Sequence, residues 1–300
     1  MRACRDLAAR VARTELPVLI LGPSGSGKGV LAQAIHDASG RAPGPFVAVN
    51  VSALAPTLFE AELFGAEAHA FTDAEALRRG HLERAAGGSL LLDEIGALGL
   101  EQQAGLLRVL DASAFHRVGG DEPVPMRARI LAATSADLPA LVAAGQFRAD
   151  LFHRLSVYAL HVPPLAERPE DLPELARALL AASAERLALR PCELSDDALD
   201  AMRQHRWPGN VRELDNALVR LLLAAPGRRV GPAEVARALP PASPPEAQPA
   251  SAPRTLDALV ASAIADALAV TGGDVAEAAR QLGISRATVY RWRRAAGGPP

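Results

Sequence analysis

Short apolar runs punctuate the first half of the chain: PVLIL (17–21), PFVAV (45–49), SLLLD (89–93), RILAAT (129–134) and VYALHV (157–162). Each reads as a buried strand. Between them lie stretches of helical spacing. Leu31, Ala34, Ile35 and Ala38 fall at i, i+3, i+4 and i+7 on one face, and EQQAGLLRVL (101–110) is similar. Strands alternating with helices require crossovers, which predicts a mainly parallel α/β sheet.

After PPLAERPEDLP (163–173) the strand signals stop. Residues 174–239 predict helix throughout, broken at Pro191, WPGN (207–210) and APGRR (225–229). The stretch PPASPPEAQPASAP (240–253) is dense in Pro, Ala and Ser and reads as a semi-stiff, disordered linker. The remainder is a small helical unit. The pattern divides the chain into an α/β part (1–165), a helical part (166–239), a linker (240–254) and a small all-α domain (255–300).

Composition narrows the function classes. Three hundred residues suit two or three domains. The chain is 49% hydrophobic but only 4% aromatic, ample for a core of Ala, Leu and Val. A net charge of -2 gives no global attraction to nucleic acid, so any DNA contact needs a local patch. Cys4 and Cys192 form no CxxC, and the seven histidines show no HExxH spacing. No apolar run approaches the ~20 residues that span a bilayer, so no membrane role is expected. The charged N-terminus MRACRDLAAR is no signal peptide, and the expected compartment is the cytoplasm.

The chemistry concentrates at GPSGSGKG, Gly22, Pro23, Ser24, Gly25, Ser26, Gly27, Lys28 and Gly29, directly after the first apolar run and before a helix. This is G-x-x-x-x-G-K in its strand–loop–helix setting. Glycines let backbone N–H groups wrap phosphates, and the helix N-terminus adds positive potential. Lys28 is the only lysine in the chain; every other basic residue is arginine. A compact ammonium on a flexible stem suits phosphates where the planar arginine fork does not. Gly29 stands where a Mg²⁺-binding hydroxyl is usual. The ion would then rest on phosphate oxygens, water and an acid, and SLLLDE ends in Asp93 and Glu94. Asp93 is the candidate for Mg²⁺ and Glu94 for polarising a water.

Ordered blocks now carry a resemblance: AIHDASGRAPGPFVAVNVSAL (34–54), ELFGAEAHAFTDA (62–74), GHLERAAGGSLLLDEIG (80–96), LLRVL (106–110), FRADLFHRLSV (147–157), PPLAERPEDLPELA (163–176) and WPGNVREL (207–214). Over nearly all of residues 1–240 the chain resembles the AAA+ bacterial enhancer-binding proteins, activators that remodel sigma-54 RNA polymerase. The resemblance implies an ATPase with an α/β subdomain and a helical lid, working as a ring, a hexamer by analogy. It implies that Asn50 couples Glu94 to the nucleotide state and that Thr134 and Ser135 occupy the sensor pair, Ser replacing Asn. It implies that Arg148 and Arg154 reach a neighbouring subunit's nucleotide and that Arg212 is the second sensor. An arginine given in trans ties hydrolysis to assembly.

Several positions depart from the family. Gly29 replaces its usual Glu, and Pro23 replaces an acid. The sigma-contacting loop, GAFTGA in the family, reads HAFTDA (69–74). Phe71 and Thr72 survive, while His69 and Asp73 replace glycines that allow φ > 0 without strain. That favours an alternative, a regulator independent of sigma-54 in which nucleotide controls only assembly on DNA. The resemblance starts at the helix before the first strand, without the family's preceding adenine-pocket segment, so a truncated or misassigned start is expected.

At the other end, LDALVASAIADAL (256–268) predicts an amphipathic helix. Asp274 and Glu277 have capping-box spacing, Gly283 stops that helix and Ser285 caps RATVYRWRR (286–294). Two short helices around a tight turn read as helix-turn-helix. VAEAARQLGISRATVYR resembles the Fis-type DNA-binding module of the same family. Arg280, Arg286, Arg291, Arg293 and Arg294 crowd this end with no acid after Glu277. Ser285 opens the second helix, Arg286 and Thr288 are placed near bases, and Tyr290, Arg291 and Arg294 near the backbone.

Overall fold

Five parallel strands form the central sheet: β1 (Val18–Leu21), β2 (Phe46–Asn50), β3 (Ser89–Asp93), β4 (Arg129–Thr134) and β5 (Ala159–His161), in the order β2-β3-β4-β1-β5. The chain is described by a computed structural model covering residues 2–68, 76–239, 271, 274–281, 285, 286, 288 and 289. Each apolar run supplies one strand. β1 and β2 begin one residue after Pro17 and Pro45, which lack the N–H a ladder needs.

Side chains alternate across the sheet, as a period of two demands. Leu19, Leu90, Leu92, Ile130 and Ala132 share one buried cluster with the helices Phe59–Phe64 and Leu100–Ala112. Val18, Ile20, Leu91, Leu131 and Ala133 share the other with the helices Arg2–Ala12 and Lys28–Asp37. Arg129 is buried and donates to the carbonyls of Val11, Ala12 and Leu16, tying the end of the first helix to the sheet.

Register places the chemistry. Asn50 pairs with Asp93, Asp93 with Ala133, and Leu21 with Thr134. All four strand ends therefore open onto one carboxyl edge, where open α/β sheets bind ligands.

Helix Lys28–Asp37 differs from its expected face. It buries Leu31, Ala32, Ile35 and His36, while Ala34 is exposed and Ala38 is the C-cap. The buried stripe is two residues wide at each turn, because the helix lies flat on the sheet. His36 adds a buried contact, its Nδ1 3.0 Å from Ser89 Oγ.

Residues 165–239 pack Trp207, Leu214, Leu218 and Leu221 around a second core. The helices are Leu172–Arg186, Asp196–Gln204, Asn210–Ala224 and Pro232–Ala238. The expectation of helix throughout needs correction: Glu193–Leu194 pairs in parallel with Arg229–Val230. A two-residue strand is too short to show a period of two.

Two further ladders were not expected. Gly65–Ala66 pairs with Arg78–Arg79, and Ala114–His116 with Pro123–Pro125. His69, Phe71, Thr72 and Asp73 lie outside the described residues. Cys4 and Cys192 are both free and buried. Among the described residues no helix is long and apolar enough to cross a membrane.

Near the C-terminus, helix Val275–Gln281 is capped by Asp274, whose Oδ1 accepts from Ala276 N (2.8 Å) and Glu277 N (3.2 Å). These N–H groups hold the Asp274 carboxyl below its usual range. Only half of the expected capping box forms: Glu277 pairs with Arg280, one turn on, rather than with the cap N–H.

Candidate functional site

Loop 22–27 joins β1 to helix Lys28–Asp37. Gly25 (φ 72°) and Gly27 (φ 101°) are left-handed, a conformation that favours glycine. A Cβ on Gly25 would sit 2.4 Å from the Gly209 carbonyl oxygen, so the loop and the helical part approach too closely for any side chain there. Lys28 is 5% exposed. Its Nζ donates to the carbonyls of Gly22 (3.0 Å) and Pro23 (3.3 Å) and lies 3.6 Å from Glu94 Oε1.

The helical part grips the same loop. Asn210 Nδ2 donates to Ser24 O (3.0 Å), Val211 N to Gly25 O (2.9 Å) and Arg212 Nη1 to Ser24 Oγ (3.1 Å). Asn210 is buried at φ 53°, and its Oδ1 accepts from Leu165 N (2.8 Å). Trp207 fixes this turn by packing in the core and donating Nε1–H to Met202 O (2.8 Å). From the connecting segment, buried Arg168 donates Nη2–H to Ser26 O (2.7 Å).

Glu94 follows β3 in a left-handed conformation (φ 57°). Its Oε2 accepts from both Ser135 N (3.1 Å) and Ser135 Oγ (3.0 Å). Asp93 Oδ1 accepts from Glu94 N (3.0 Å). Asn50 turns elsewhere: its Oδ1 caps the next turn, accepting from Ser52 N (3.0 Å) and Ser52 Oγ (2.7 Å). Thr134 is buried, and its Oγ1 accepts from Ala136 N (3.0 Å). The structure thus joins Lys28, Glu94 and Ser135 directly, while Asn50 and Thr134 brace their own turns. A groove of about 630 Å³ runs beside Asp93 and Asn50 to Gly29, with Val30 exposed at its rim.

Arg148 is the N-cap of helix Ala149–Leu155, and Arg154 lies in its last turn. Buried Gln103 accepts Arg148 N–H through Oε1 (2.8 Å) and so fixes where the side chain leaves. The Arg148 guanidinium forks onto Asp150 (3.1 and 2.8 Å) and holds that carboxyl below its usual range. Arg154 donates Nη2–H to Leu110 O (2.8 Å), with Nε 3.3 Å from Asp111. Among the described residues, neither arginine hydrogen-bonds or ion-pairs with Lys28 or Glu94.

In the C-terminal unit, Ser285 Oγ accepts from Thr288 N (3.2 Å) and lies 2.9 Å from Thr288 Oγ1. Arg286 is exposed and Val289 is buried. Tyr290, Arg291 and Arg294 lie outside the described residues.

Known proteins share these features in the same order. Residues 1–161 match the Sigma-54 interaction domain, residues 166–252 the AAA+ ATPase lid domain, and residues 261–294 the bacterial regulatory protein, Fis family. The chain belongs to the sigma-54 interaction family. This family member is 50% identical over 220 residues to the Nif-specific regulatory protein of Azotobacter vinelandii, covering 73% of this chain and 42% of that one. It is 41% identical over 310 residues to the nitric oxide reductase transcription regulator NorR2 of Cupriavidus necator, covering 96% and 60%. A crystal structure of NtrX from Brucella abortus in complex with ATP superposes with a TM-score of 0.70 at 35% identity, covering 98% of this chain and 67% of that one. The chain spans about half the length of the curated relatives it matches.

Two residues at the site, Arg168 and Asn210, lie inside the blocks PPLAERPEDLPELA and WPGNVREL, but the sequence alone points to a role for neither. Arg168 is one arginine among many, and Asn210 looks like an ordinary turn asparagine. Burial and the direction of their donors are what set them apart.

Proposed function

We propose that this sigma-54 interaction family member is an ATP-hydrolysing transcription regulator acting in the cytoplasm. It binds an enhancer or operator through its C-terminal helix-turn-helix and assembles as a ring, a hexamer. It couples hydrolysis to remodelling of the sigma-54 RNA polymerase holoenzyme. The observation that carries this reading is the meeting of Lys28, Asp93 and Glu94 at one sheet edge, beneath a loop held by the lid.

Each residue has a physical role. Loop 22–27 and the start of the following helix receive the phosphates, and Lys28 exchanges its loop carbonyls for phosphate oxygens. An all-oxygen set of Asp93, phosphate and water suits Mg²⁺, which would neutralise phosphate charge when bound. Glu94 takes the proton of the attacking water, held in place by Ser135. Arg212, already 3.1 Å from Ser24 Oγ, senses phosphate from the lid. Arg148 and Arg154, bonded to Asp150, Leu110 and Asp111, serve a neighbour's site. Asn50 acts on Glu94 only after leaving Ser52, and Thr134 shapes the turn carrying Ser135. Phe71 and Thr72 meet sigma-54. Arg286 and Thr288 read bases behind the Ser285 cap, and Tyr290, Arg291 and Arg294 hold the DNA backbone.

The test is ATP-dependent open-complex formation by sigma-54 holoenzyme on a promoter carrying the chain's DNA site. Open complexes that require ATP and disappear in Lys28→Ala are expected. Turnover without open complexes would favour the sigma-54-independent reading that His69 and Asp73 suggest.

A further inference from the structure

Loop 22–27 has every carbonyl from Gly22 to Ser26 engaged. Lys28 holds those of Gly22 and Pro23, while Asn210, Val211 and Arg168 hold those of Ser24, Gly25 and Ser26. The last three donors all come from beyond the sheet: Arg168 from the connecting segment, Asn210 and Val211 from the start of helix Asn210–Ala224. A trans peptide points its N–H opposite its C=O, and no cis peptide is present among the described residues. Pulling the Ser24 and Ser26 carbonyls toward the lid therefore turns the N–H groups of Gly25 and Gly27 away from it, toward the concave side of the loop. An array of inward N–H groups is what an anion needs.

Resting on the nucleotide reading above, we propose that Arg168 and Asn210 are positioning residues that hold the phosphate-binding N–H groups in place from behind. In this arrangement, seating of the lid and affinity for the phosphates of a nucleotide form one equilibrium.

Burial supports the assignment. Arg168 is 6% exposed, and its Nε has no hydrogen-bond partner. Burial opposes its charge, which Asp171 partly offsets. A charge kept in such a place only to fill space would be better replaced by an apolar side chain. Its guanidinium instead reaches one main-chain oxygen of the loop. Asn210 bridges Leu165 N and Ser24 O, linking the connecting segment, lid and loop through one amide. Its left-handed backbone makes Asn210→Gly a clean probe, since glycine keeps that conformation and removes only the side chain.

Reciprocity gives a readout that needs no variant. If the lid orders the loop, a bound nucleotide must order the lid by the same factor. The Val211 N–H, which donates to Gly25 O, reports on that contact.

The experiment uses the full chain, with ADP as probe. Calorimetric titration measures ADP affinity for wild type, Arg168→Met, Arg168→Lys and Asn210→Gly. Hydrogen exchange follows Val211 with and without saturating ADP. Loss of a charged donor predicts about ten- to hundredfold weaker ADP binding in Arg168→Met, partly recovered in Arg168→Lys. Asn210→Gly is weaker by about tenfold, and ADP slows Val211 exchange in wild type. Variants binding within twofold of wild type, or Val211 exchange indifferent to ADP, would overturn the proposal while leaving the nucleotide site standing. Wild type that binds no ADP would instead overturn the nucleotide reading and this inference with it.

Discussion

Ser135 offers both its main-chain N–H and its hydroxyl to a single oxygen of Glu94, and the other Glu94 oxygen lies 3.6 Å from Lys28 Nζ. The carboxylate is thus fixed between the end of β4 and Lys28. Asn50, which the family resemblance links to Glu94, is bound to Ser52 instead. Ser135→Ala removes one donor to a charged acceptor and leaves the main-chain donor. Turnover should fall about tenfold with ATP affinity nearly unchanged. Steady-state kinetics at saturating ATP check this, and an unchanged kcat would remove Ser135 from the positioning of Glu94.

Gly29 follows Lys28 in the first turn of its helix, has no positive φ, and faces open space where a Cβ would go. Gly29→Ala should therefore stabilise the chain by about 0.5 kcal/mol and raise its melting temperature by about one or two degrees. Nucleotide affinity should hold. A fall in melting temperature would mean that the position is packed.

Arg117 joins three segments: it pairs with Glu67 (2.7 Å), after the strand Gly65–Ala66, and with Glu83 (2.7 Å), in the helical turn His81–Arg84. The Arg117 hydrogen bonds hold the Glu83 carboxyl below its ordinary value of 4.5. A depressed folded value stabilises above the unfolded one, so this contribution is complete above about pH 4.5 and fades as the pH falls through the folded value. Arg117→Ala should cost on the order of 1–3 kcal/mol near neutral pH and less in acid. Melting curves between pH 7 and pH 3 check it; a constant difference across that range would contradict it.

Arg286 is exposed at the start of the helix capped by Ser285. Arg286→Ala should lower affinity for the chain's specific DNA site by about 1–3 kcal/mol and relax preference at one base pair. Binding measured against point-mutated sites would show it. Equal losses on all sequences would make Arg286 a backbone contact.

The sheet was legible because parallel strands appear as short apolar runs, and Pro17 and Pro45 even mark where two of them start. Strands β1, β3 and β4 are buried as expected, while the edge strands β2 and β5 are only partly buried because each has a neighbouring strand on one side alone. The loop was legible because one lysine stands in a chain otherwise basic through arginine. Other features leave no trace in a pattern. The pair Glu193–Leu194 and Arg229–Val230 is too short to alternate. The buried stripe of Leu31, Ala32, Ile35 and His36 includes a polar residue whose ring meets the Ser89 hydroxyl and the Phe46 ring. Arg168 and Asn210 act through main-chain oxygens, which every residue has, so no partner residue type betrays them. Asn50 shows the converse: the family resemblance suggests Glu94, but Asn50 bonds to Ser52 two residues on.

Arg148 is held by Asp150, and Arg154 by Asp111 and the carbonyl of Leu110. If they complete a neighbour's site, activity must depend on assembly. The most direct measurement is steady-state ATP hydrolysis against protein concentration, with and without DNA, for wild type and Arg154→Ala. Specific activity that rises with concentration in wild type, and is absent in Arg154→Ala although ATP still binds, is the expected result. Specific activity independent of concentration, or undiminished in Arg154→Ala, would contradict a shared site.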